Sequence, residues 1–143
     1  MKQTESVTLR RIQKQDENVV RNLFDFAMPD EACRLFVTAC LQDGAVHELV
    51  CLGSACIGMV SADHGEISYR IRKPWRHHGF ASMAVCLFCQ RHPMDLWARV
   101  ERDNVESIAV LKANGFKIDS AADHLLYFTR HLQLTDKIAK VGW

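Results

Sequence analysis

The stretch "EISYRIRKPWRHHGFASMAVCLFCQRH", residues 66–92, changes character twice. Residues 66–72 are β-rich and alternate, which reads as a strand. Arg72, Lys73, Arg76, His77 and His78 then crowd in front of Gly79. From Phe80 the apolar residues recur at helical spacing, and the pattern stops before Pro93. "MDLWARVERD" (94–103) follows as a second strand. A strand, loop, helix and strand in this order set the two strands parallel, through a right-handed crossover. The basic loop therefore lies at the carboxyl end of a strand and the N-terminus of a helix. Ligands bind at that place in open α/β sheets.

Outward from this unit, "SVTLRRIQ" (6–13) reads as an opening strand and "QDENVVRNLFDFAM" (15–28) as a helix stopped by Pro29. Pro29-Asp30-Glu31 opens a further helix, with Ala32, Leu35, Phe36, Ala39 and Cys40 on one face, ending at Gly44. "VHELVCL" and "ACIGMVSA" form a hairpin around Gly53-Ser54, and "DHG" (63–65) turns into residue 66. Beyond residue 103, "NVESIAVLKANGF" is a helix with Asn104 as its N-cap and Gly115 at its stop. "FKIDS" and "HLLYFTRHL" make a final antiparallel pair, and the tail 133–143 carries no clear signal. The order is β-α-α-β-β-β-α-β-α-β-β, and the hairpin before residue 66 makes the sheet mixed.

The 143 residues suit a single domain over 1–143. A formal charge of +1 gives no global pull toward nucleic acid or an anionic membrane, so an anion site has to be local. No apolar run reaches the about 18 residues that span a bilayer, and the polar N-terminus lacks a secretory signal. The expected location is cytoplasmic. Six cysteines then read as reduced, mostly buried thiols, and the C-x-x-C at 86–89 as core packing inside a helix.

The loop has a functional reading and a plain one. Unpaired N–H groups at a helix start attract phosphate, Gly79 lets backbone approach an anion, and the basic side chains add charge. The plain reading is a solvated basic turn. Here "RHHGFA" resembles the R/Q-x-x-G-x-G/A loop of the GNAT family of N-acetyltransferases. The longer "EISYRIRKPWRHHGFASMA" and the later "DNVESIAVLKANGF" resemble the two motifs of the ribosomal-protein N-terminal acetyltransferases in that family. The resemblance implies an α/β (α+β) fold with a mixed, mostly antiparallel sheet of six to seven strands and about four helices. It also implies acetyl-CoA as cosubstrate, without a metal. Backbone N–H groups of residues 77–82 (His77, His78, Gly79, Phe80, Ala81 and Ser82) would hold the pyrophosphate. Ile71 and Lys73 would pair with pantetheine, with Arg72, Arg76 and Asn104 completing the site. The helix after Gly79 is shorter than is usual in the family.

The activity implied is direct transfer of acetyl to a primary amine in a ternary complex. Such a reaction needs a base for the amine and a proton donor for the leaving thiolate. Glu66 stands where many family members hold a glutamate working through water, and Ser107 where the resembling group holds a serine thought to donate to the thiolate. Their plain readings are a solvated strand-end carboxylate and a first-turn hydroxyl bonded to backbone. The glutamate and tyrosine used by one branch are absent, since Arg99 and Leu111 occupy those positions. Tyr127 reads as an inward core aromatic, with a donor role as its alternative, and His64 and His124 are further candidate bases.

Two other function classes stay open: a CoA-binding protein of the same fold without catalysis, and a zinc-stabilised interaction module. The latter draws on seven histidines and six cysteines but finds no metal-ligand spacing. The acceptor is a small-molecule or peptide amine, chosen by residues 15–43 and the last hairpin. A protein N-terminus, an aminoglycoside-like antibiotic and a polyamine fit equally. No nucleic-acid or membrane partner is expected, and the chain reads as a monomer or homodimer.

Overall fold

The computed structural model describes residues 5–42 and 44–132. The first half runs β1 (Thr8–Arg11), α1 (Glu17–Arg21), α2 (Asp30–Cys40), β2 (Ala45–Leu52), β3 (Ala55–Asp63) and β4 (Glu66–Ile71). A 3₁₀ turn (Lys73–Trp75) leads to α3 (Phe80–Arg91), β5 (Leu96–Glu101), α4 (Val105–Ala113), β6 (Lys117–Ala122) and β7 (Leu125–Arg130). The tail 133–143 lies outside the described residues, and within them no helix is long and apolar enough to cross a membrane.

The strands form one sheet in the order β1-β2-β3-β4-β5-β7-β6, antiparallel throughout except between β4 and β5. That parallel pair is the one expected from the strand–loop–helix–strand unit. It has a single register position, Glu66 opposite Trp97, backed by a hydrogen bond from the Trp97 N–H to the Gly65 carbonyl at 2.9 Å.

Alternation along the strands separates two cores. Val50, Val60, Ile67 and Phe128 pack with Phe88 of α3 and Leu111 of α4 on one face. Leu49 turns the other way and joins Val20, Leu23 and Val37 under α1 and α2. The six cysteines are free thiols, with Cys33, Cys40 and Cys89 buried and Cys86 exposed on α3.

Three expectations need correction. The helix expected over 15–28 covers only Glu17–Arg21. Leu23, 1% exposed, drops into the core, its carbonyl accepts from Arg70 Nε at 3.2 Å, and Asp25 pairs with Arg70 and Arg76. These tertiary bonds take up residues that helical spacing alone would extend. On α2 the buried residues are Cys33, Val37 and Cys40, whereas Leu35 points to solvent. Tyr127 is not the inward aromatic of β7: Phe128 is fully buried, and Tyr127 lies half-buried on the opposite face.

A carboxylate is buried inside the sheet. Glu48 of β2 is fully buried and accepts from Arg91 Nε, from Arg91 Nη2 at 3.2 Å, and from His92 Nε2 at 2.8 Å. Burial pushes its carboxyl up, but the hydrogen bonds and charges of His92 and Arg91 outweigh that and hold it below the ordinary value. A carboxyl lowered in the folded state adds stability above the ordinary carboxylate range and loses it as pH falls through the lowered value. Glu48→Gln is therefore expected to lower unfolding stability at pH 7 by about 2 kcal/mol, the cost of its charged hydrogen bonds, because half-exposed Arg91 can regain water. In urea titrations the gap between the two proteins should narrow as pH is taken below about 4.

Candidate active site

Beyond Glu66–Trp97 the strands β4 and β5 part, and a cavity of about 530 Å³ opens beside them. Ile71, Arg76, His77, Gly79, Phe80, Ala81 and Ser82 line one side, and Asn104 and Ser107 at the start of α4 line the other. Nine of the sequence-derived site residues therefore come together. Arg72, Lys73, His78 and Glu66 are not among its lining residues.

The loop is built on unusual backbone. His77 and Gly79 both adopt left-handed conformations, with φ of 68° and 81°. For His77 this costs about 1 kcal/mol, and such strain collects at functional sites. A Cβ on Gly79 would meet nothing within 4 Å, so the position faces open space. Gly79 is the N-cap of α3, and the N–H groups of Phe80, Ala81 and Ser82 have no carbonyl one turn earlier to bond within the helix. Together these amides and the positive end of the helix suit an anion.

The basic side chains do less at the anion site than the sequence implied. Arg76 Nε donates to the Ile71 carbonyl at 2.7 Å, and its Nη2 bonds Asp25 at 2.7 Å. Arg72 lies over the Trp75 ring at 4.9 Å and donates to the Cys56 carbonyl at 3.2 Å. Arg76 holds Asp25 below its ordinary carboxylate value, chiefly through that hydrogen bond. Lys73 is exposed and stands in the 3₁₀ turn, not on the strand, so it is off the edge it was expected to extend.

The free edge of β4 keeps Ile71, as expected, and adds Tyr69 in place of Lys73. Ser68 and Arg70 stand opposite Ser61 and Met59, and the Arg72 N–H bonds Ile57 on that same side. By alternation the backbone groups of Tyr69 and Ile71 face the gap toward β5. Tyr69, which the sequence reading passed over, also lines the cavity. Its hydroxyl meets Ser107 Oγ at 2.6 Å and the Ser107 carbonyl at 3.2 Å. Burial raises the Tyr69 phenol above its ordinary value, against the opposing Ser107 hydrogen bond, so it is protonated at neutral pH. The alternation of "ISYRI" was the signal that could have found it.

The other expected catalytic groups lie apart from this cavity. Glu66 receives Arg99 Nε at 2.8 Å and Arg99 Nη2 at 3.3 Å, so both its oxygens are engaged. His64 pairs with Asp63, and His124 with Glu101, on the exposed surface. Among the described residues, no group of three or more His, Cys, Asp and Glu gathers as a metal site would.

A family model for an acetyltransferase (GNAT) domain matches residues 4–117. No curated protein sequence matches the chain. The fold recurs in spermidine/spermine N-acetyltransferase SpeG from Vibrio cholerae, solved with manganese ions. The TM-score is 0.72 at 14% identity, covering 88% of this chain and 92% of that one. RimL, a ribosomal L7/L12 alpha-N-protein acetyltransferase, gives a TM-score of 0.72 at 16% identity, covering 89% and 91%. The microcin C7 self-immunity acetyltransferase MccE, in complex with acetyl-CoA and AMP, gives 0.71 at 14%, covering 89% and 93%. At these identities the likeness is one of fold.

The placement of Ser107 depends on the start of α4, where Asn104 Oδ1 accepts from the Ser107 N–H at 3.1 Å. Asn104→Ala is expected to cost about 1 kcal/mol of stability through the lost cap, and Asn104→Asp to retain it. Chemical denaturation of the three proteins checks this.

Proposed function

The chain belongs to the GNAT acetyltransferase family, and on that premise we propose that it binds acetyl-CoA in the cavity between β4, the start of α3 and α4, and transfers the acetyl group to a primary amine. The observation that carries the reading is the loop at Gly79. It joins an open glycine position, left-handed backbone at residues 77 and 79 and the amide end of α3 at one point on the cavity wall.

Acetyl-CoA supplies an activated acyl thioester. The amides of residues 79–82 bind the pyrophosphate, and the Tyr69 backbone and the Ile71 N–H pair with the pantetheine amides as a strand would, the Ile71 carbonyl being taken by Arg76. Those pairings run along β4 and direct the acyl end toward the single joint at Glu66–Trp97. Ser107, with its hydroxyl held by Tyr69, is the chain's proton donor for the departing sulfur. Arg72, Lys73 and His78 stand outside the cavity lining. Glu66 is not carried forward as the base, because Arg99 takes both its oxygens and it does not line the cavity.

Saturating acetyl-CoA is expected to raise the melting temperature, since a ligand of the native state stabilises by mass action. Gly79→Glu should abolish that shift and weaken binding at least 10²-fold by calorimetry, because it sets a side chain and a negative charge at the pyrophosphate position. No shift with millimolar acetyl-CoA, or retained affinity in the variant, contradicts the reading. Release of free CoA thiol on adding amines separates an active transferase from a protein that only binds the cosubstrate.

A further inference from the structure

A second cavity, of about 300 Å³, lies on the face of the sheet covered by α1, α2 and the segment between them. Tyr69 and Arg70 line both cavities, so the two meet at β4, beside the gap where β5 departs. Resting on the acetyl-CoA reading above, we propose that this second cavity is the acceptor pocket. It takes a primary amine carried on a compact apolar body about the size of one aromatic ring, and His47 receives the amine proton.

The walls name the occupant. Leu23, Phe24, Phe36 and Met59 make the apolar surface, with the Phe24 and Phe36 rings edge to face at 5.4 Å. Among the described residues, no carboxylate lines this cavity. Among its described lining residues the full cation is Arg70, which lies over the Phe24 ring at 5.1 Å and is committed to Asp25 and the Leu23 carbonyl. A polyamine or aminoglycoside would bring several positive charges against this wall with no anion to receive them, which desolvation and like charge both oppose. An amine with an apolar body brings one charge, and that charge is removed when its proton is transferred.

The proton acceptor stands on the same wall. His47 of β2 is half-buried, faces Ser61 of β3 in register, and its Nδ1 lies 2.7 Å from Ser61 Oγ. Ser61 in turn faces Ser68 of β4, so a row of polar side chains crosses from the imidazole to the strand bordering the gap. With Nδ1–H donating to Ser61 Oγ, the Nε2 lone pair is the free one. Burial pushes His47 below the ordinary histidine value, with Arg11 adding to the effect and Asp63 opposing it. The imidazole is therefore neutral at pH 7 and can accept. Asp63 on β3, Arg11 on β1 and Arg70 on β4 are the charged groups around it. In the step itself the acceptor ammonium gives one proton to Nε2 and keeps the electron pair of that N–H bond. The pair then forms the C–N bond to the acetyl carbon, and the C–S bond breaks with its electrons leaving on the CoA sulfur. The nitrogen's second proton neutralises that thiolate by way of Ser107, and the first proton passes from half-exposed His47 to solvent.

The test uses the whole protein with acetyl-CoA, following thiol release with phenethylamine, spermidine and a short peptide of polar N-terminus as acceptors. Phenethylamine should exceed the other two in kcat/KM by about 10²-fold or more. His47→Gln should lower kcat about 10²-fold with KM nearly unchanged and abolish the acid limb of the kcat–pH profile, which Glu66→Gln should retain. Phenethylamine binding should also shift the His47 ring resonances of the unmodified protein, a readout independent of how the variants fold. Preference for spermidine or the peptide, an acid limb that survives in His47→Gln, or one lost only in Glu66→Gln overturns the inference. Acetyl-CoA affinity measured on the same preparations separates the two readings. If it is intact, only the pocket assignment falls; if acetyl-CoA does not bind, the cosubstrate reading falls with it.

Discussion

A single register position joins the two parts of the sheet: Glu66 of β4 opposite Trp97 of β5. Parallel strands joined along their whole length would bury every backbone group between them. Here the contact is confined to one end, and the rest of the β4 edge is left to pair with something else. The joint is secured by the Trp97 N–H on the Gly65 carbonyl and by Arg99 of β5 gripping Glu66 from the side. Beyond it, Tyr69 reaches Ser107 of α4, and Arg76 covers the Ile71 carbonyl. The opening thus has walls and a floor, with each wall tied to a different element. The Glu66–Arg99 pair ties β4 to β5 at that joint without lining the cavity, which is a structural use for a residue the family pattern offers as a base.

Asp25 couples this opening to the other face of the sheet. Its carboxylate takes both Arg70 of β4 and Arg76 of the loop, and the same Arg70 holds the Leu23 carbonyl. One exposed acid therefore fixes the segment that carries Phe24 over the second cavity and steadies the loop that shapes the first. Surface ion pairs are individually weak, but two guanidinium groups converging on one carboxylate form a network. The arrangement holds the apolar roof and the Gly79 loop in fixed relation, as the proposed transfer between two substrates requires.

Much of this was legible in the sequence because it rests on local chemistry. The period of 66–92, Gly79 before an apolar helix, and Asn104 ahead of Ser107 each fix a short piece of backbone without outside help. What was not legible depends on partners far along the chain. Residues 22–28 have helical spacing, yet bonds to Arg70 and Arg76, more than forty positions away, decide their path. Arg72 and Arg76 look like ligand-binding charge in the sequence, but they bond nearby carbonyls and Asp25 in the fold. His47 gave no signal at all, because its meaning comes from facing Ser61 across a hairpin, and register follows from the whole sheet. Tyr127 and Phe128 show the cost of a one-residue error in phase, which moves a side chain to the opposite face.

Amide hydrogen exchange with and without acetyl-CoA tests most directly whether the parted strands are a cosubstrate cleft. The account predicts that the cosubstrate slows exchange about 10-fold or more at Tyr69, Ile71 and residues 79–82, through direct hydrogen bonds, while β6 and β7 keep their rates. Protection concentrated on β6 and β7 or on α2, with residues 69–82 unchanged, would contradict it.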